Sequence, residues 1–256
     1  MSQLLNYKLE GEGHTIVLIH GLFGNLDNLG VLARELKKEY QVLSVDLRNH
    51  GRSFHSDEIN YSSMAEDVRL VLEHLQINAF TLIGHSMGGK VAIKLADIER
   101  ERTQNLIVLD MSPVAYTSRK HDNVLAGLHA VMEGKPTSRS SALQAMARHI
   151  EMDGVRQFLS KSLYNNDGVF SWRFNVLAVE ENYWNILGWQ DIETLSTPTL
   201  FVKGGESDYL LAEHQTHIQK QFSNVKAHVI ANAGHWLHAE KPNEVLRAVT
   251  KFIQSK

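Results

Sequence analysis

The sequence contains no cysteine. That absence excludes a thiol nucleophile, a disulfide framework and every thiolate metal site together, and it agrees with a reducing compartment. An excess of basic charge is also missing, because 26 Lys and Arg stand against 29 Asp and Glu for a net charge of -3. Nucleic-acid affinity comes from clustered Lys and Arg on phosphates, so no nucleic-acid partner is expected. No apolar run approaches the length of a membrane span, and Met1 to Glu10 lacks a basic segment followed by an apolar one. These absences predict a soluble, cytoplasmic protein. What is present is a chain of 256 residues, 43% hydrophobic and 21% charged, long enough to bury a core without a metal or disulfide staple.

Short apolar runs alternate with helix-period segments, the pattern of an α/β fold with a mostly parallel sheet covered by helices. The runs are residues 15–20, 41–47, 80–84, 106–110, 199–204 and 227–231. They are continuous rather than alternating, as strands buried on both faces should be. Leu29, Leu32, Ala33, Leu36 and Tyr40 repeat at helical spacing, as do Met64, Val68, Val71, Leu72 and Leu75 behind a Ser63-x-x-Glu66 capping box. A last helix is expected over about residues 244–253. Between 113 and 190 no strand-like run appears, and residues 124–132, 141–150 and 155–163 read as successive helices. The expected organisation is a core of residues 1–112 and 191–256, with residues 113–190 inserted as a helical cap.

Gly84-His85-Ser86-Met87-Gly88 follows one apolar run and precedes the helical pattern Val91, Ala92, Leu95, Ile98. Strand before and helix after is the setting of a nucleophile elbow, a turn tight enough to lift a serine hydroxyl clear of the sheet. An idle serine in a glycine-rich turn is the plain alternative, which that setting disfavours. The same stretch reads Gly84-x-x-x-x-Gly89-Lys90 and stops short of a phosphate loop, since Val91 stands where Ser or Thr must coordinate Mg²⁺. Nucleotide hydrolysis is therefore kept only as the rival from another class.

An activated serine needs a base. Gly234-His235, just past the last apolar run, puts a histidine at a strand end. With 14 histidines in the chain, position and not residue type singles out His235. His20 and His50 also end strands and are read as structural hydrogen-bonders. The sequence His20-Gly21-Leu22-Phe23-Gly24 after the first run supplies a loop for an oxyanion hole, with the N–H groups of Leu22 and Met87 as the expected donors.

With these residues in place the chain resembles the α/β-hydrolase superfamily over nearly its whole length, and within it the bacterial YbfF-type esterases and their mitochondrial relatives. The resemblance is carried by the glycine loop at 20–24, Asp46-Leu47-Arg48-Asn49-His50-Gly51-Arg52-Ser53, Gly84 to Lys90, Trp172-Arg173-Phe174-Asn175 and Ala233-Gly234-His235-Trp236. It implies a serine esterase, with acyl-CoA thioesters among the substrates, acting on small molecules without cofactor or metal.

The acid is open between two aspartates. Asp208, in Gly204-Gly205-Glu206-Ser207-Asp208, occupies the usual superfamily position, while Asp110, followed by Met111-Ser112-Pro113, matches the subgroup. The subgroup pattern favours Asp110, and in that case Ser207 is expected to bond to His235. Asp46 reads as a structural ion pair with Arg48. The same Ser, His and Asp set also serves carbon–carbon bond hydrolases and cofactor-free haloperoxidases, and a slow-turnover ligand receptor retains it too. Arg119, Lys120 and His121 are weighed as a contact for a phosphate-bearing carrier against a solvated charge run.

Overall fold

Residues 3–255 are described by the structure, a computed structural model. The chain opens with β1 (Tyr7–Glu10), β2 (Thr15–Ile19), α1 (Gly30–Leu36), β3 (Gln41–Val45), α2 (Tyr61–His74), β4 (Phe80–His85), α3 (Met87–Ile98) and β5 (Thr103–Leu109). It then leaves the sheet for α4 (Asp122–Gly134), α5 (Arg139–Ala147), α6 (Asp153–Ser160), β6 (Leu163–Asn166), β7 (Val169–Trp172), α7 (Val176–Glu181) and α8 (Tyr183–Leu187). It returns through β8 (Thr199–Gly204), α9 (Gln215–Gln221), β9 (Val225–Ile230), α10 (Leu237–Glu240) and α11 (Pro242–Gln254).

The main sheet has the order β1-β3-β2-β4-β5-β8-β9. Only β1 runs antiparallel to its neighbour. Successive strand residues feed opposite faces. Val17, Ile19, Leu43, Val45, Leu82, Leu106 and Val108 pack under α2 and α3, while Ile16, Leu18, Val42, Ile83, Ile107 and Leu109 pack against α1 and α11. Each such side chain contributes about 1.5–3 kcal/mol on burial, which is why the runs are mostly apolar, with only small or hydrogen-bonded polar residues such as Ser44 and Thr81 among them.

Three details differ from the sequence expectations. The edge strand β1 has Lys8 and Leu9 exposed and Tyr7 and Glu10 half-buried, and so leaves no continuous run. Helix α2 begins earlier than its apolar repeat suggests, with Asn60 as the cap that accepts from Ser63 N at 2.8 Å; Ser63 is inside the helix and caps nothing. The stretch between β5 and β8 is not wholly helical, because β6 and β7 form a hairpin turned by Asp167 (φ 51°) and Gly168 (φ 88°). Two consecutive positive φ angles give the turn that matches strand twist.

Arg48 also pairs elsewhere than expected. Its guanidinium grips Asp67 of α2 through two bonds of 2.6 and 2.9 Å. Asp46 instead accepts from Leu26 N, Arg52 N and Asn6 Nδ2 at 2.7, 2.8 and 2.7 Å, tying together the loops that leave β2 and β3. Among the described residues, no helix is long and apolar enough to cross a membrane.

Candidate active site

The strands β2, β4, β5 and β8 are parallel, so their C-terminal ends share one edge of the sheet, where ligands of open α/β folds gather. Ser86 sits at that edge between β4 and α3, with φ 54° and ψ -126°. This conformation is strained for any residue bearing a side chain. It is held by Ser86 N on Leu109 O at 3.0 Å and by Gly89 N on Ser86 O at 2.7 Å. The flanking glycines are required by contact. A Cβ on Gly84 would lie 2.1 Å from Gly88 O, and one on Gly88 would lie 2.3 Å from His20 O.

His235 follows β9 and presents Nε2 to Ser86 Oγ at 2.9 Å and Nδ1 to Asp110 Oδ2 at 2.7 Å. The carboxylate oxygen accepts, so the ring proton belongs on Nδ1 and Nε2 is left as the acceptor for the serine hydroxyl. Asp110 ends β5 and is fully buried. Its Oδ1 accepts from Gly204 N at 2.9 Å, and its Oδ2 also accepts from the Ser207 hydroxyl. Three donors on two oxygens compensate the burial of a carboxylate. Ser207 thus bonds to Asp110 and not, as expected from sequence, to His235.

Asp208 lies outside this chain of contacts. Its side chain is 71% exposed and its Oδ2 accepts from Lys120 Nζ at 2.6 Å, which holds the carboxyl below the usual range. The structure therefore brings Ser86, His235 and Asp110 together and leaves Asp208 in a surface ion pair. Two contacts on His235 had no signal in the sequence. Tyr209 stacks on its ring with centroids 4.0 Å apart, and His85 Nε2 donates to its carbonyl at 2.8 Å.

Leu22 stands in the loop after β2, and Met87 opens α3. Neither N–H has a hydrogen-bond partner among the described residues; the Leu22 loop borders the serine, since a Cβ on the preceding Gly21 would fall 3.1 Å from Ser86 Cβ, and Met87 follows the serine directly. Two histidines fix this loop. Leu47 N donates to His20 Nε2 at 3.0 Å, Phe23 N donates to His50 Nε2 at 3.1 Å, and the Nδ1 atoms face Gly21 O and Arg48 O at 2.8 and 2.9 Å. Both rings act as structural hydrogen-bonders.

Burial pushes His20 down to about 4 and His50 down to about 3 from an ordinary 6.5. Unfolding returns both to the ordinary value, so below 6.5 the unfolded chain binds more protons and stability is lost as pH falls toward the folded values, at up to ~1.4 kcal/mol per pH unit for each ring. The urea midpoint is expected to fall steadily from pH 7 to pH 5. A midpoint flat over that interval would contradict the neutral, buried pair.

A cavity of about 550 Å³ opens over Ser86 and His235, walled by Phe23, Val124, Ile150, Val155, Phe158 and Leu159. Most of that wall comes from the segment between β5 and β8. Its early charges are committed to protein partners: Arg119 pairs with Asp122 at 2.6 Å, Lys120 with Asp208, and His121 meets Tyr183 Oη at 2.6 Å. Lys90, the lysine of the incomplete phosphate loop, is 1% exposed. Its ammonium donates to Leu187 O and Gly188 O at 3.2 and 2.9 Å and faces the rings of Tyr61, Tyr116 and Trp189. It closes the end of α8 and is not presented to a phosphate. Burial pushes it down to about 7.

The family model described as the alpha/beta hydrolase fold matches residues 14–242. The chain belongs to the α/β-hydrolase family. It is 44% identical over 238 residues to Esterase YbfF of Escherichia coli, covering 93% of this chain and 92% of that protein. It is 37% identical over 246 residues to the sn-1-specific diacylglycerol lipase ABHD11 of Mus musculus, covering 93% of this chain and 80% of the relative. Among solved structures, a marine microorganism esterase superposes with a TM-score of 0.95 at 33% identity, covering 98% of this chain and all of that one. As an α/β-hydrolase the chain has the expected fold class, a mostly parallel sheet flanked by helices.

Proposed function

We propose that this α/β-hydrolase cleaves carboxylic esters through an acyl-enzyme, with Ser86 as nucleophile, His235 as base and then acid, and Asp110 as the group that orients His235. The observation that carries this reading is the pair of contacts on His235, 2.9 Å to Ser86 Oγ and 2.7 Å to Asp110 Oδ2. The relatives named as an esterase and a lipase support the same bond type.

In the first half-reaction Ser86 Oγ attacks the carbonyl carbon while its proton passes to His235 Nε2. The carbonyl oxygen gains the negative charge and meets the N–H groups of Leu22 and Met87. Asp110 stabilises the imidazolium through Nδ1–H. Collapse breaks the ester C–O bond, and Nε2–H gives its proton to the leaving alkoxide. Water then enters, loses a proton to Nε2, attacks the acyl carbon and releases the acid, restoring Ser86 Oγ–H. The same sequence serves a thioester, whose leaving thiolate needs less help from the acid, and the apolar cavity wall suits an acyl chain. The segment 113–190 acts in this reading as the cap that shapes the pocket.

A substrate panel tests the reading. Turnover of p-nitrophenyl esters and of acyl-CoA thioesters is expected, with no cleavage of a carbon–carbon bond in a vinylogous diketone and no peroxide-dependent halogenation. Cleavage of the diketone with inert esters would overturn it.

A further inference from the structure

His238 lies on α10, three residues after His235, and lines the same cavity as Ser86. It is 5% exposed, and no step above uses it. Its ring stands edge-on to His85 with centroids 4.2 Å apart. The two ring nitrogens differ in their surroundings. Nδ1 is occluded and has no hydrogen-bond partner among the described residues, whereas Nε2 is not occluded, and the cavity is the space this side chain borders.

Burial pushes the ring down to about 3, so it is neutral near pH 7 and carries one proton. A buried N–H without an acceptor is a rarer orphan than a buried lone pair without a donor. The proton therefore belongs on Nε2, where it can be donated to a molecule in the cavity. Asn28 borders the same cavity, just before α1, the helix against which α10 packs. Its Oδ1 accepts from Asn25 N, which fixes the amide so that its NH₂ is left without a partner among the described residues.

We propose that His238 Nε2–H, with the Asn28 amide on the same side of the cavity, forms a donor subsite that selects esters carrying a neutral oxygen acceptor away from the scissile carbonyl. An ether, hydroxyl or second carbonyl fits these donors, because both are uncharged; of the charged residues in the lining, Lys120 is paired with Asp208, and Glu151 repels an anionic substrate rather than a neutral one. The subsite rests on ester hydrolysis at Ser86 and adds to it a substrate class.

Two isosteric pairs test it: p-nitrophenyl 4-methoxybutanoate against p-nitrophenyl hexanoate for the acyl side, and 2-methoxyethyl butanoate against butyl butanoate for the alcohol side. The reading is the ratio of kcat/KM, ether over carbon isostere, in wild type and in His238→Phe, which keeps the ring against His85 and removes the N–H. For at least one pair the wild-type ratio is expected to exceed the variant ratio by about three- to tenfold, the effect of one neutral hydrogen bond. His238→Leu serves if the phenylalanine variant does not fold, and fluorophosphonate labelling verifies an intact site in either. Equal ratios in wild type and a labelled variant for both pairs, or a variant ratio above the wild-type ratio, would overturn the subsite. Absence of both labelling and ester turnover in wild type would instead remove the esterase reading beneath it.

Discussion

Replacing Ser86 by alanine is expected to lower kcat on p-nitrophenyl esters by at least about 10³-fold, because it removes the hydroxyl proposed to form the acyl bond while leaving substrate binding intact. What should survive is the contribution of the cavity and of the proposed oxyanion donors, which in triad enzymes generally leaves a residual rate above that in water. The fold should not change. Alanine meets the same backbone strain at φ 54° that serine already bears, and among the described residues Ser86 Oγ bonds to His235 and to no core group. Circular dichroism and the thermal midpoint check the fold, and steady-state kinetics the loss. A folded Ser86→Ala enzyme with wild-type kcat would end the mechanism.

Asp110→Asn should cost on the order of 10⁴-fold in kcat. An amide in this place turns its NH₂ toward His235 Nδ1 and makes that nitrogen the acceptor. The proton then moves to Nε2, which can no longer take one from Ser86. Ser207 sharpens the effect, since its hydroxyl bonds to the same Asp110 oxygen and would compete for the remaining acceptor. Asp208→Asn should differ sharply. Its carboxylate holds Lys120 at 2.6 Å across an exposed surface, where such a pair is worth about 0–1 kcal/mol, so kcat should fall less than about fivefold. Parallel kinetics on the two variants check the assignment, and a large loss on Asp208→Asn beside an active Asp110→Asn would reverse it.

The contrast between these aspartates shows where sequence reasoning runs out. Both follow apolar strands, and chain order admits either as the acid. What separates them is side-chain direction and burial, since Asp110 sits inside at the end of β5 and Asp208 outside beside Lys120. The subgroup pattern favoured Asp110, but local sequence alone left the choice open. The central strands were legible because burial on both faces favours nearly continuous apolar runs. Edge strand β1, none of whose four residues is buried, offered no such run.

The elbow was legible for a similar reason. Its glycines answer backbone contacts too short for any Cβ, so the sequence has no freedom there. The cavity wall had no such signature, because Ile150, Val155, Phe158 and Leu159 look like any helix-period apolar set until the segment is folded over Ser86. Tyr209 and His238 were equally silent. Each earns its place by a contact across the fold, one stacked on His235 and the other edge-on to His85.

The most direct test of the account is mass spectrometry of the enzyme quenched in acid within the first turnovers of a p-nitrophenyl ester. The account predicts an added acyl mass on the peptide containing Ser86, absent in Ser86→Ala, and appearing more slowly in His235→Ala. Sustained ester turnover in which no acylated Ser86 peptide can be trapped, or an acyl group carried on another residue, would contradict it.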